Sequence, residues 1–426
     1  MSPSEAAPAF FLAVVVILLV ARLVCLAAVK LGQPPVVGEM IAGVLLGPSL
    51  FGLLLPDVQA ALFPDAVRSL LYVGGQIGLV IYMFGAGCEF SLSSIGKSRE
   101  SVAAISSAGT IVPLALGFGV SAIGLSWVGI GKDGVSPVTS MAFVGVALAI
   151  TAFPMLARII TERGIASTKF GSLALACGAL DDVLAWILLA VVLGMHAGSA
   201  GPVALALGGG LLFAGVVFII GRRLLAKAMG SERLSVDHRV LVTAMTLFAA
   251  AWFTDVIGLY AVFGAFCVGI AFPRTPATEA VLAKIVPIGR IVFLPLFFTY
   301  SGLNTRFALL ADPKLLAFAV LCVVVAIVGK LGASWGAARL AGEPQFIATR
   351  VGVLVNARGL MQLIALNVGL AAGIVSPALF TVLVLVALVT TIMTAPVLSW
   401  LDRRDARNGT TEVLLMAEPV PVTGKS

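Results

Sequence analysis

Residues 170–195 read FGSLALACGALDDVLAWILLAVVLGM. The run is long enough to cross a bilayer, which takes about 20 predominantly apolar residues. Two adjacent carboxylates, Asp181 and Asp182, stand near its middle. An aspartate at the centre of a membrane helix costs roughly 2.5 to 3.5 kcal/mol on insertion scales, so such residues mark function more often than packing. The fold reading turns on whether the rest of the chain is also membrane.

It is. Of 426 residues, 60% are hydrophobic and 11% charged, and the mean hydropathy is +1.13. That composition leaves too little polar surface to face water and specifies a polytopic membrane protein. The 46 glycines and 21 prolines fit, since close packing and interrupted helices are tolerated inside membranes. A net charge of +7 does not indicate nucleic acid, because the basic residues sit in short loops and at the ends of apolar runs. Cys25, Cys88, Cys177, Cys267 and Cys322 lie in or beside apolar runs without CxxC spacing and read as small buried hydrophobes. His196 and His238 form no metal-ligand pattern, and Gly208–Gly210 lacks the flanking strand of a dinucleotide fingerprint. Residues 9–29 lack a preceding basic region and read as a retained helix, not a cleaved signal.

About thirteen spans can be marked: 9–29, 36–55, 68–88, 101–128, 138–160, 170–196, 201–220, 239–257, 259–273, 282–302, 315–340, 346–372 and 377–401. No strand periodicity persists, so the predicted class is all-α. With the N-terminus outside, twenty of the 27 Lys and Arg residues fall on the cytoplasmic side, five of them between Arg222 and Arg239. Arg68, Lys132, Arg306 and Lys314 fall outside, while Arg22, Lys330 and Arg358 lie within spans. That bias sets the orientation and supports an odd number of crossings. Residues 402–426 form a short polar tail, predicted to be cytoplasmic and too small for a regulatory domain.

Four spans carry polar features at one depth. These are Asp181 and Asp182 in span six, Lys330 in span eleven, Thr151-Ala-Phe-Pro154 in span five and Asn356-Ala-Arg-Gly359 in span twelve. At 1.5 Å per residue all come within about two turns of the membrane centre. Adjacent helical positions point about 100° apart, so one Asp can meet Lys330 while the other faces a cavity. The latter can hold a proton or a hard cation, which prefers oxygen ligands. A purely structural Asp–Lys pair explains one acid and leaves the second without a role. Pro154 and Gly359 mark interruptions in spans five and twelve, where freed carbonyls can coordinate a cation and opposed helix ends can balance charge. Spans one to six and eight to thirteen then form two six-helix halves, inverted in the membrane, with span seven as linker and broken helices crossing at the midplane.

Six ordered blocks carry a resemblance: GEMIAGVLLGPSLFG (Gly38–Gly52), TAFPMLARIITERG (Thr151–Gly164), GALDDVLAWILLA (Gly178–Ala190), GLYAVFGAFCVGIAFPR (Gly258–Arg274), FLPLFFTYSGLNT (Phe293–Thr305) and VNARGLMQLIALNVG (Val355–Gly369). Through about Leu401 the chain resembles the cation:proton antiporter-2 family. It is similar both to two-aspartate sodium/proton antiporters and to the membrane part of plant cation/proton exchangers. The resemblance implies a homodimer in the cell membrane, here taken as bacterial. It implies dimerisation helices at about 9–88 and 239–302, core ion-transport helices at about 101–196 and 315–401, and a linker helix at 201–220. Asp182 would carry the monovalent cation or protons, Asp181 would pair with Lys330, and Thr151 would line the site. Asn356, Arg358 and Pro154 would support it, with Arg358 either balancing helix ends or pairing with an acid such as Glu89. No cofactor is implied beyond transported Na+ or K+ and H+. Potassium efflux relatives often carry Gln-Asp at the acidic pair and append a nucleotide-binding domain. The Asp181-Asp182 pair and the short tail depart from both features.

Antiport of Na+ or K+ against H+ by alternating access, electrogenic if Lys330 also releases a proton, is therefore the expected activity. A sodium-coupled organic solute carrier and an ion channel are the alternatives. A channel needs a continuous pore, which a single central site with broken helices does not suit. An enzyme is not expected, since no nucleophile–base pair or metal cluster is present.

Overall fold

The computed structural model describes residues 3–89, 99–166, 168–198, 201–231 and 233–407. Lys97 and Lys425 of the charge count, and the tail from 408 onward, lie outside the described residues. Among the described residues the regular structure is helical, with no strand. Twelve helical stretches are long and apolar enough to cross a membrane. The ninth predicted span is the exception: it is the helix Ala261–Ala271, 11 residues long. That length gives about 16 Å of rise, about half the hydrocarbon core.

Cross-span bonds nevertheless show that this short helix returns the chain to the other face. The side chains of Asp237, at the start of span eight, and Lys284, in span ten, are 2.7 Å apart, so both spans begin on one face. On the opposite face Ser49 at the end of span two donates to Thr305 O at 2.8 Å, just beyond span ten. Lys169 and Glu343 (2.8 Å) join the starts of spans six and twelve on the first face. Arg350, 1% exposed, pins span twelve to Asp402 at 2.9 Å and Asp405 at 2.7 Å, while its guanidinium lies 3.7 Å from the Phe346 ring centroid. We term the face that carries Lys30, Lys169, Arg339 and Arg404 the basic face.

Local sequence explains the helix ends. Ser136, Thr168, Ser235 and Thr275 each accept a hydrogen bond from a backbone N–H in the first turn of the helix they precede. Pro35, Pro137, Pro276, Pro313 and Pro377 stand at helix starts, where a missing N–H costs nothing. Spans two and ten meet backbone to backbone: a Cβ on Gly43 would strike Phe298 O, and one on Gly302 would strike Gly43 O. Close approach through small residues replaces hydrophobic collapse, which gives no drive between helices in lipid. The surface left to lipid is apolar, with Phe11, Leu211 and Trp252 each about two-thirds exposed or more.

Candidate functional site

Spans five and twelve are the most enclosed, at 94% and 100% of their apolar windows, and both are broken. Span five consists of Pro137–Ala149 and Phe153–Glu162, and span twelve of Gln345–Val355 and Leu360–Ala371. They run in opposite directions. The two breaks cross, and Ala152 N–H donates to Ala357 O at 3.1 Å. Pro154 does not kink a continuous helix. It occupies the first turn of the second half-helix, where it starts the helix after the gap. Gly359 has φ 101° and ψ −119°, a region closed to residues with a Cβ, and lets span twelve reverse out of its gap.

Each gap exposes helix ends deep in the protein, and charged groups from neighbouring spans meet them. At the N-terminal end of Phe153–Glu162, the Phe153 N–H donates to Asp182 Oδ1 at 3.3 Å. A carboxylate is favoured there, where the helix dipole is positive and N–H groups lack helical partners. At the C-terminal end of Pro137–Ala149, Lys330 Nζ donates to Ala149 O at 2.7 Å, and Arg358 Nη1 to Ala147 O at 3.3 Å. Cations are favoured at that negative end.

The two aspartates diverge as adjacent helical positions must. Asp181 Oδ2 accepts from Lys330 Nζ at 2.8 Å. It also lies 2.6 Å from the Thr151 hydroxyl, which is 3.1 Å from Val355 O as well. A hydroxyl has one proton, so Thr151 serves these two acceptors in turn. Asp182, 1% exposed, has only the Phe153 N–H on Oδ1, and its Oδ2 has no hydrogen-bond partner among the described residues. Lys330, fully buried, sits in a π-helical turn, Val328–Gly332, within span eleven. Such turns recur at functional sites. Arg358 Nη2 donates to Ala326 O at 3.1 Å, just before that turn.

The structure thus brings Asp181, Asp182, Thr151, Lys330, Arg358 and the Pro154 half-helix together. Among the described residues Arg358 pairs with no acid: its partners are carbonyls of spans five and eleven, while Glu89, the acid considered from the sequence, lines the cavity. Thr151 bonds to Asp181 and not to Asp182. Asn356 is buried at the end of its half-helix, but its amide points to Met393 Sδ at 3.9 Å, away from the pair. Sequence reasoning missed the backbone partners, namely Phe153 N–H and the carbonyls of Ala147, Ala149 and Ala326, because any residue supplies them. It also missed the π-helical turn, for which Gly329 and Gly332 are at most a faint signal.

A cavity of about 180 Å3 opens near this site, lined by Tyr82, Glu89, Pro154, Arg158, Glu162 and Arg290 among others. It lies between spans three, five and ten on the basic face and reaches Pro154, next to the Phe153 N–H that holds Asp182.

Comparison with known proteins bears on this arrangement. The family model described as "Sodium/hydrogen exchanger, transmembrane" matches residues 15–401. The Na(+)/H(+) antiporter NhaS4 of Synechocystis is 34% identical, covering 90% of this chain and 94% of that protein. Cation/H(+) antiporter 17 of Arabidopsis thaliana is 33% identical over 96% of this chain, which spans about half (51%) of that relative's length. The K(+)/H(+) antiporter 1 of Saccharomyces cerevisiae is 31% identical over 89% of this chain and 45% of its own. In fold, the chain is similar to the sodium proton antiporter MjNhaP1 of Methanocaldococcus jannaschii, with TM-score 0.65, 15% identity, and 93% and 96% of the two chains covered. A family match over most of the chain, on a framework of twelve apolar helices, makes this a multi-pass integral membrane protein of a transporter family and not an enzyme. The chain belongs to the sodium/hydrogen exchanger family of transmembrane proteins.

Proposed function

We propose that the protein exchanges a monovalent cation, Na+ or K+, for H+ by alternating access, with Asp182 as the shared cation and proton carrier. The observation that carries this is the free Oδ2 of Asp182, fully buried at a helix N-terminus while Asp181 is already neutralised by Lys330. Asp181 Oδ1 is also without a hydrogen-bond partner among the described residues, but of the two carboxylates only Asp182 lacks a countercharge. Asp182 is therefore left to take either a proton or a hard cation, which excludes simultaneous occupancy and enforces exchange. The family membership and the antiporter names of the relatives support the same reading.

Electrogenic exchange follows if Lys330 also releases a proton. Two protons, one from Asp182 and one from the lysine, then move against one cation, a net transfer of one charge per cycle. Thr151 can hold Asp181 by its hydroxyl when the lysine lets go. Arg358, bound to carbonyls of spans five and eleven, serves as a positioning residue at the crossing.

The helices fall into a dimerising group at about 9–88 and 239–302 and a core group at about 101–196 and 315–401, joined by the linker helix at 201–220. Packing of span ten on spans two and three, of the short helix on spans three and eight, and of spans four, five and six with spans eleven to thirteen supports this division. The protein is a homodimer in a bacterial cell membrane, with the basic face cytoplasmic, the N-terminus outside and the C-terminus in the cytoplasm, as the excess of Lys and Arg favours. The cavity beside Pro154 is then the cytoplasmic approach to Asp182.

The test is cation-driven proton flux in proteoliposomes for the wild type and Asp182→Asn. The amide keeps the shape and can accept from Phe153 N–H, but it neither titrates nor neutralises a cation. The variant is expected to fold, as judged by its elution profile, and to lose exchange. Near-normal flux in Asp182→Asn would remove Asp182 from the centre of the mechanism.

A further inference from the structure

Two contacts bridge the core helices and the dimerising helices on the face opposite the cavity, and the antiport reading above does not use them. The first is aromatic. Trp186 lies one helical turn beyond Asp182 toward that face, and its ring packs on Tyr260 at a centroid distance of 5.9 Å and an interplanar angle of 33°. Trp186 is 3% exposed, and its Nε1 has no hydrogen-bond partner among the described residues. Tyr260 precedes the short helix Ala261–Ala271 and has φ 64°. It is the one described non-glycine residue with positive φ. A bulky residue held in that region is strained, and such strain collects at moving parts. The second contact is polar. Asn367 Nδ2, in the second half of span twelve, donates to Ser301 Oγ near the end of span ten. It donates also to Leu363 O at 2.8 Å, and its Oδ1 is buried with no partner among the described residues.

We propose that Trp186–Tyr260 and Asn367–Ser301 are the gate that closes the route from Asp182 to the face opposite the cavity, and that both contacts part when the site turns to that face. This rests on the alternating-access reading. The route to Asp182 differs between the two faces. Toward the basic face, the cavity of about 180 Å3 that reaches Pro154 parts spans three and ten from span five, and the two helix groups keep a contact away from that route, where Gln33 Nε2 donates to Ile392 O at 3.1 Å. Away from the basic face, a tilted aromatic pair and a hydrogen bond join the two groups. Each contact has one partner in a core span (Trp186, Asn367) and one in a dimerising span (Tyr260, Ser301). A rigid shift of one group against the other must therefore break both. The unsatisfied Trp186 Nε1 and Asn367 Oδ1 are groups that opening would expose to water, which lowers the cost of parting. Strain at Tyr260 is released in the same step, so the closed gate is held weakly enough to cycle.

Two experiments test the gate. Asn367→Cys and Ser301→Cys are combined in a parent whose Cys25, Cys88, Cys177, Cys267 and Cys322 are replaced by alanine. The hydrogen bond between the two side chains places the paired positions side by side across the two helix groups. Oxidation is expected to crosslink the pair and stop cation-driven proton flux, and reduction to restore it. In the native background, Tyr260→Ala is compared with Tyr260→Phe. Loss of an aromatic contact is expected to shift the half-saturating cation concentration about two- to tenfold. It should fall at the face opposite the cavity and rise at the basic face, while Tyr260→Phe stays near wild type. A merely structural role would lower the rate without moving the two values apart. Failure to crosslink, continued flux after complete crosslinking, or half-saturation values that move in the same direction each overturn the gate. Absence of flux in the unmodified wild type fails the antiport reading instead, and crosslinking still reports the contact.

Discussion

Removing Lys330 tests whether the buried pair is built as the site geometry implies. Lys330 Nζ stands 2.8 Å from Asp181 Oδ2 and 2.7 Å from Ala149 O, and the two side chains are 0% and 3% exposed. Lys330→Ala leaves Asp181 with the Thr151 hydroxyl alone and strands the Ala149 carbonyl at a helix end. Breaking a buried pair from one side costs about 3–5 kcal/mol, while replacing both charges costs much less, because no ion is left uncompensated. Asp181→Ala is expected to cost a similar amount, since it strands the ammonium. The double variant should then lose roughly 1–3 kcal/mol, a coupling of at least about 3 kcal/mol. The assay is thermal unfolding of the detergent-purified wild type, both single variants and the double variant, followed by loss of the monodisperse elution peak. The order expected is wild type, then the double variant, then the two singles. Additivity within about 0.5 kcal/mol would refute the pair as an energetic unit.

Further outcomes follow from the same geometry. Gly359→Ala forces a Cβ into φ 101°, with Met155, Met40 and Thr391 atoms 3.4–3.5 Å from the added carbon; backbone strain of about 1–3 kcal/mol should lower both melting temperature and flux, and wild-type values for both would show that the gap can relax. On the proposed mechanism protons and cations compete for Asp182, so the half-saturating cation concentration should rise as pH falls, approaching about tenfold per pH unit in the acid limit with the maximal rate unchanged; a constant half-saturation with a falling maximal rate would place the titrating group elsewhere. Ser231, next to the basic stretch that ends span seven, should be cytoplasmic, so a cysteine placed there should resist an impermeant thiol reagent added from outside; labelling would invert the orientation.

The site was legible in part because membrane burial makes ionisable residues conspicuous. Asp181, Asp182, Lys330 and Arg358 stand out of apolar runs at one depth, and all four meet at the crossing. Their partners did not stand out. Nothing in the sequence distinguishes the carbonyls of Ala147, Ala149 and Ala326 from any other, and the choice between an acid and helix ends for Arg358 needed the positions of spans five and eleven. The assignment of Thr151 to Asp181 likewise depends on how the two gaps cross.

The sequence alone determined the class, the spans and the presence of a charged centre, because apolar run length and the cost of burying charge are local properties of the chain. The shortness of the helix after Tyr260 lay at the edge of that signal: residues 259–273 are apolar enough for a span, yet only Ala261–Ala271 is helical. Resemblance had assigned Asp181 to Lys330, and tertiary structure supplied the geometry that pairs it and leaves Asp182 without a countercharge. Asp181 and Asp182 are chemically identical neighbours on one helix, and nothing local distinguishes them. Their contacts part because a rotation of about 100° turns one toward the ammonium of span eleven and the other toward the exposed N–H of a broken helix. That difference is set by where distant segments pack, which residue order along a single span cannot encode.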